Sequence, residues 1–252
     1  MAGPARPLLA IASLILLGGG ILLQIFTILT GGINSAPLNR FYFLEASTSG
    51  ISNARNPSRW TFFAICGTDP STGYNANCGS PVPALPFDPP RNFGTTQGIP
   101  QQFIGTHTFY YLSRFMFAFY LIALFFAVIA LFSGVLALCS RLGGYLSGMT
   151  TSVALFFQSA AAALLTVWVV KGRNAFRSSG SEAHIGKYLL AFAWASMACF
   201  FLATIMFCLG GALGGDRSSR KMKRNRSTRS NRSRGSFIET DSQRRVKDDY
   251  SV

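Results

Sequence analysis

Two cysteines in the long polar stretch of this chain are the residues best placed for covalent chemistry. Cys66 and Cys78 are separated by eleven residues. Their oxidation would close a loop of about 13 residues, which the chain-entropy model values at about 3 kcal/mol. The same residues could instead remain free thiols or hold a metal ion. Two cysteines with no histidine nearer than His107 are, however, a poor set of zinc ligands. We therefore predict a disulfide, on the oxidising side of a membrane.

The elements that must position this pair are four apolar segments almost free of charged residues. They are residues 8–30, 115–138, 145–170 and 188–213. Each is longer than the roughly 20 residues that cross about 30 Å of hydrocarbon, and none has the polar face that a soluble helix turns toward water. The first could be a cleavable signal peptide, although its apolar run is long for one. The sequence predicts an all-α membrane protein with a four-helix bundle, residues 1–213.

Positive charge is concentrated after the last of these segments. The chain has a net charge of +14, and its tail, residues 214–252, has too few aromatic residues to bury a core of its own. Nine cations and no acidic residue occupy one block of this tail: Arg217, Arg220, Lys221, Lys223, Arg224, Arg226, Arg229, Arg232 and Arg234. The positive-inside rule then predicts that both termini are cytoplasmic and that residues 31–108 are extracellular. The basic residues of loop 171–187 favour the opposite orientation, but they are fewer than those of the tail.

The basic block predicts contact with an anionic membrane surface. Each Lys or Arg near an anionic leaflet contributes about 1 kcal/mol, so phosphatidylserine or a phosphoinositide is the expected partner. The block could instead serve only to fix topology. Its Arg-Ser alternation could also bind RNA, but we expect no nucleic-acid partner for a tail anchored in a membrane. Cys139 and Cys208, near the cytoplasmic ends of two spans, are candidates for palmitoylation or simply small apolar residues.

Small and amide residues inside the spans predict contacts between helices. Gly18, Gly19 and Gly20 permit close approach of a neighbouring helix. Gln24 and Gln158 are the only amides within the spans, so we expect them to stabilise the bundle by hydrogen bonding. Lys, Arg, Asp and Glu are absent from the span interiors, although pumps and ion pathways usually need such groups. We therefore expect neither a transporter nor an enzyme, and no cofactor or metal.

The first outer loop, residues 31–108, holds nine of the eleven prolines. The aromatic and β-branched runs 41–44 and 60–65 nevertheless predict two strands of a small antiparallel sheet. A sheet of this size is marginal in water, so we expect the disulfide to stabilise it. The proline-rich part, residues 80–102, is predicted to be an extended, irregular strap, and residues 171–187 a solvated turn.

A family resemblance rests on the aromatic part of this loop. Asn39-Arg40-Phe41-Tyr42, the later Thr48-Ser49-Gly50-Ile51 and the run beginning Arg59-Trp60 resemble a fungal, eisosome-associated family of four-span membrane proteins. That family is grouped with PalI-type proteins and is distantly claudin-like. The resemblance implies a small β-sheet over a left-handed four-helix bundle, with Trp60, Cys66 and Cys78 matching the tryptophan and cysteine pair of the claudin group. The eleven-residue spacing and the lack of Gly-Leu-Trp before Cys66 depart from claudins, so polymerisation into paracellular pores is not implied.

The resemblance also implies a function without catalysis. The family organises static, furrow-like domains of the plasma membrane. We therefore predict a multi-pass plasma-membrane scaffold that associates laterally as a homo-oligomer or wider assembly. Its outer loop would meet neighbouring copies, cell-wall material or eisosome proteins, and its tail would hold anionic lipid. A PalI-like signalling or accessory subunit that acts through a cytoplasmic partner is the alternative.

Overall fold

The computed structural model describes residues 5–212, apart from the side chains at positions 5, 6, 139 and 141. Besides two single-turn 3-10 helices, the described part of the chain contains four long α-helices, one short α-helix and five short strands. In chain order these are α1 (Ala5–Ile28), β1 (Leu44–Ala46), β2 (Ser58–Trp60), β3 (Ile65–Thr68), β4 (Asn75–Ala76), α2 (Pro89–Phe93), α3 (Thr108–Cys139), α4 (Arg141–Ser178), β5 (Ala183–Ile185) and α5 (Lys187–Ala212).

The four long helices confirm the predicted membrane spans. The stretches that are long and apolar enough to cross a membrane are Pro7–Ile28, Thr108–Leu138, Leu142–Ser178 and Lys187–Ala212. Both α3 and α4 extend beyond the apolar runs seen in the sequence. Polar residues continue the helical hydrogen bonding at these ends, where length is no longer set by the hydrocarbon.

The helices form a ring in which α1 lies between α3 and α5, and α4 lies on the opposite side between the same two helices. Small residues let the helices approach closely, since fully buried alanines on α3, α4 and α5 line the interior. These alanines are Ala127, Ala130, Ala154 and Ala203. Ser140 is the single residue between α3 and α4, and its hydroxyl accepts a hydrogen bond from the Gly143 amide at 3.0 Å.

An antiparallel sheet is present as predicted, with five strands rather than two, in the order β4-β3-β2-β1-β5. The run 41–44 enters it only at Leu44, the first residue of β1. The run 60–65 does not form one strand, because the chain reverses between Trp60 and Ile65. In this turn the Thr61 amide donates a hydrogen bond to the Ala64 carbonyl at 3.1 Å. The turn buries Phe62 against Phe43 and the helices. Burial of this ring outweighs the β-propensity of the run.

Two other expectations for the loops were wrong. Residues 171–187 do not form a solvated turn, because α4 continues to Ser178 and β5 then pairs with β1. Residues 80–102 are not only an irregular strap, because they include α2 and contribute buried rings at Phe87 and Phe93. In both segments contacts with residues distant in the sequence provide burial that local composition does not reveal.

The non-membrane residues 29–107 and 179–186, here called the cap, share one hydrophobic core with the helices. The Trp60 ring lies 5.3 Å from the Phe87 ring and 5.6 Å from the Phe176 ring of α4. The Phe87 ring in turn lies 4.6 Å from the Trp168 ring of α4. Aromatic pairs at these separations favour specific relative orientations. The cap is therefore packed on the bundle rather than tethered to it.

Candidate functional site

The cysteine pair stabilises the edge of the cap sheet. Cys66 of β3 and Cys78 are joined in a disulfide, as predicted, with their Cα atoms 3.9 Å apart. Inside the bridged loop the Asp69 carboxylate accepts hydrogen bonds from the Ser71 amide, the Ser71 hydroxyl and the Thr72 hydroxyl at 2.7–2.9 Å. These bonds lower the pKa of Asp69 below its usual range. The described residues contain no cluster of three potential metal ligands.

Arg59 is the centre of a polar network beside this disulfide. Its guanidinium donates to the Glu45 carboxylate of β1, and also to the Gly73 carbonyl at 2.8 Å and the Asn75 side-chain oxygen at 3.2 Å. The guanidinium carbon also lies 4.4 Å from the centre of the Tyr42 ring. Burial and the Glu45 carboxylate raise the pKa of Tyr42. The network connects two neighbouring strands to the bridged loop.

The other residues of the motif Asn39-Arg40-Phe41-Tyr42 lie partly in the interior and partly on the surface. Phe41 is buried, and its ring lies edge-on to Phe192 of α5 at 5.1 Å. Asn39 is half-buried, and its side-chain oxygen has no hydrogen-bond partner among the described residues. Arg40 is exposed and lies over the Tyr74 ring at 4.6 Å. The motif therefore contributes anchoring side chains as well as surface.

Trp60 connects the sheet to the proline-rich segment. Its side chain is only 2% exposed. Its indole N–H donates to the Asn92 side-chain oxygen at 3.4 Å, and the Asn92 amide donates to the Pro86 carbonyl at 3.1 Å. Sequence reasoning did not select Asn92 or the rings around Trp60. The one signal for them was the presence of phenylalanines among prolines in residues 80–102.

The two amides inside the membrane have separate partners. Gln24 donates to the Tyr120 carbonyl of α3 at 2.9 Å, and Gln158 donates to the Ala193 carbonyl of α5 at 3.1 Å. Both side-chain oxygens are without a hydrogen-bond partner among the described residues, so the two amides do not bond each other. Each joins two neighbouring helices, a bond worth about 1 kcal/mol in a membrane.

Of the three consecutive glycines in α1, only Gly20 meets a neighbouring helix closely. A Cβ atom added there would lie 2.7 Å from the Phe200 ring of α5, whereas one added at Gly18 or Gly19 would meet nothing within 4 Å. The Ser196 hydroxyl of α5 also donates to the Gly20 carbonyl at 2.9 Å. Gly20 is therefore a point of close approach between α1 and α5.

We expect Gly20→Ala to destabilise the bundle by about 1–3 kcal/mol, because the added methyl group would overlap the fully buried Phe200 ring and force it to shift. Gly19→Ala is the matched control and should cost nothing, since its added methyl group enters open space. The free energy of unfolding in mixed detergent micelles measures both variants. Equal stability of the two would contradict this packing.

We expect Glu45→Gln to cost about 2–4 kcal/mol, because it leaves the largely buried Arg59 cation without its carboxylate. Asp88→Asn is the control: its partner Arg91 is 3.6 Å away and 57% exposed, so the loss should stay below about 1 kcal/mol. Thermal unfolding of the two variants measures both losses of stability. In the double variant with Arg59→Gln the losses should be less than additive, and additive losses would refute the coupling.

Three groups of predicted residues remain predictions. The nine basic residues between 217 and 234 lie outside the described residues, as does the side chain of Cys139. Cys208 is a free, exposed cysteine on α5, and nothing tests its modification.

The fold and the cap define a class: a membrane protein of four spans with a disulfide-bonded antiparallel sheet at one end. Comparison with known families identifies it further. The SUR7/PalI family profile matches residues 9–206, so the chain belongs to this family. This confirms the resemblance to fungal four-span proteins that the motifs indicated.

Individual relatives agree with this assignment. The chain is 42% identical over 200 residues to protein SUR7 of Candida albicans, covering 79% of this chain and 72% of that protein. It is 36% identical over 202 residues to protein SUR7 of Saccharomyces cerevisiae, covering 80% and 66% respectively. It is also 35% identical over 199 residues to an uncharacterized plasma membrane protein of Saccharomyces cerevisiae, covering 78% and 65%. The similarity thus extends over most of the described chain.

Proposed function

We propose that this protein is a non-enzymatic scaffold that organises eisosome-type domains of the plasma membrane. The main support is the single core shared by cap and bundle, because it holds the outer surface of the cap in a fixed orientation to the membrane plane. A repeated lateral assembly needs such fixed surfaces, since ordering a flexible loop in every copy would cost conformational entropy. The plasma-membrane name of one relative is consistent with this location.

The sidedness of the proposal rests on the disulfide and the tail. Disulfides persist in oxidising compartments, which supports an extracellular cap. The start of α1 and the end of α5 lie at the opposite end of the bundle from the cap, so both termini would be cytoplasmic. The basic residues after position 216 would then face the anionic inner leaflet.

Lateral contacts have an aromatic surface available on α3 and α4. Phe125, Phe132 and Phe156 are largely exposed. The Phe126 and Phe157 rings stack beside them. Association of helices in lipid depends on close packing rather than on a hydrophobic driving force. These rings can therefore contact either lipid or a neighbouring copy. Particle imaging in lipid would separate a lattice or dimer from a monomer.

Mobility in the cell provides the direct test. A fluorescent protein fused to the C-terminus should mark plasma-membrane patches that do not recover after photobleaching. A uniform, rapidly recovering signal would overturn the scaffold. Truncation after residue 213 should leave the patches in place, whereas a PalI-like subunit that acts through a cytoplasmic partner should lose its output entirely.

The tail is expected to bind anionic lipid through the sum of its cations. Replacing Arg220, Lys221, Lys223 and Arg224 with Gln should weaken binding by about fivefold per residue at low salt. The four serines 218, 219, 227 and 230 changed to Ala are the matched control and should have no effect. Energy transfer from a C-terminal dye to lipid headgroups, in nanodiscs with and without phosphatidylserine, measures the contact. Equal transfer in both lipids would remove this part of the proposal.

A further inference from the structure

A cavity of about 370 Å³ in the cap is lined by three arginines from three separate parts of the chain. Arg55 comes from the loop between β1 and β2, Arg91 from α2 and Arg114 from the first turns of α3. Ile65, Leu85 and Pro86 form the apolar part of the lining. The cavity therefore combines a cationic rim with an apolar wall.

The positive charge in this cavity is largely uncompensated. The guanidinium of Arg55 makes no hydrogen bond or ion pair with any described residue. Arg114 and Arg91 lie over the same Tyr110 ring, at 4.8 and 4.6 Å from its centre. Arg91 is paired with Asp88, whose carboxylate lies 3.6 Å from the Arg91 Nε atom. With Asp88 paired to Arg91, the three cations leave an excess of two positive charges, and each guanidinium offers five donors in a planar fork that matches phosphate.

The chain around the cavity is held in place by the core of the cap. On one wall of the cavity, the Gly79 amide donates a hydrogen bond to the Ile65 carbonyl at 3.0 Å. Gly79 directly follows Cys78 of the disulfide. Asn92, on the opposite wall, is fixed by its bonds to Trp60 and Pro86. The backbone of such a site loses little entropy when an anion binds.

The position of Arg114 indicates where the anion comes from. The charge-free run of α3 begins directly after Arg114, at position 115, and the neighbouring Tyr111 and Phe115 side chains are exposed on this helix. Tyrosine at such a boundary is typical of the membrane interface, the level of lipid headgroups. Acidic sugars would reach the cap from solvent, but an apolar wall at headgroup depth favours a lipid.

We propose that this cavity binds a phosphate group, supplied by the headgroup of a phospholipid in the leaflet beside the cap. The site lies at the opposite end of the bundle from the basic tail. It does not depend on the scaffold function and would remain if that function were disproved.

The test uses the full chain in a phosphate-free maltoside detergent, with hydrogen–deuterium exchange read at residues 79–93. Phosphatidylinositol should slow exchange in this segment several-fold. The triple variant Arg55→Gln, Arg91→Gln, Arg114→Gln should lose this protection. The control Lys171→Gln, Arg173→Gln, Lys187→Gln removes equal charge from the same end of the bundle and should retain it. The tail is the same in the unchanged protein and in both variants, so lipid binding by the tail does not affect the comparison.

Further arms of this experiment identify the source of the phosphate. Protection by glycerol phosphate but not by phosphatidylinositol would uphold the anion site and overturn its lipid source. Protection by polygalacturonate alone, or protection that survives in the triple variant, would overturn the site. If the triple variant does not fold, Arg55→Gln serves in its place, because this guanidinium makes no hydrogen bond or ion pair with a described residue and Gln retains part of its aliphatic chain. The single variant should bind phosphatidylinositol about tenfold more weakly, and unchanged binding would refute the proposal.

Discussion

Trp60→Ala should lower the free energy of unfolding by about 3–5 kcal/mol, the cost of removing a large ring from a packed core. Three aromatic rings surround this side chain, two from the proline-rich segment and one, Phe176, from α4. The variant also leaves the Asn92 side chain without its indole donor. Because Trp60 contacts both cap and helix, we expect the cap to separate from the bundle before the helices unfold.

Trp194→Ala is the matched control for this experiment. Trp194 is 43% exposed on α5, and its indole donates to the Thr166 hydroxyl at 3.2 Å. Its removal should cost less than about 1.5 kcal/mol, the value of one hydrogen bond. Hydrogen–deuterium exchange should increase across residues 58–68 in the first variant only. Similar losses of stability in both variants would mean that the cap is not anchored through Trp60.

Removal of the disulfide should destabilise the cap by about 3 kcal/mol in the chain-entropy model, since the bridge restricts the unfolded loop. The double variant Cys66→Ser, Cys78→Ser tests this directly, and reduction of the unchanged protein should have the same effect. The strands involved are only two to four residues long, so the sheet has little other local stabilisation. Thermal unfolding of the cap, followed by exchange at residues 65–79, measures the loss.

Cys208→Ser provides the corresponding control, because Cys208 is a free cysteine on α5, far from the cap. It should leave thermal stability unchanged, with or without reductant. If reduction destabilised the double serine variant as strongly as the unchanged protein, the effect could not come from this bridge. Both predictions concern the rigid connection between cap and membrane on which the proposed scaffold depends.

Much of the candidate site was visible in the sequence because its members are close along the chain or chemically distinctive. Cys66 and Cys78 lie in one short loop with no competing cysteine nearby. Arg59 and Trp60 stand beside them in a recognisable motif. The cavity arginines were not visible, because Arg55, Arg91 and Arg114 are ordinary single cations in the sequence and only folding brings them together.

The sequence by itself determined that the chain crosses a membrane four times, since the hydrocarbon sets both the length and the polarity of each span. It also determined the cysteine pair and the basic tail. Only the tertiary structure decided that β5 completes the sheet, that phenylalanines among prolines form the core of the cap, and that Gln24 and Gln158 bond separate carbonyls. The physical reason is the distance along the sequence between the residues that interact. Membrane insertion depends on local apolarity, whereas strand pairing and ring packing depend on partners that are distant in the sequence and adjacent only in the fold.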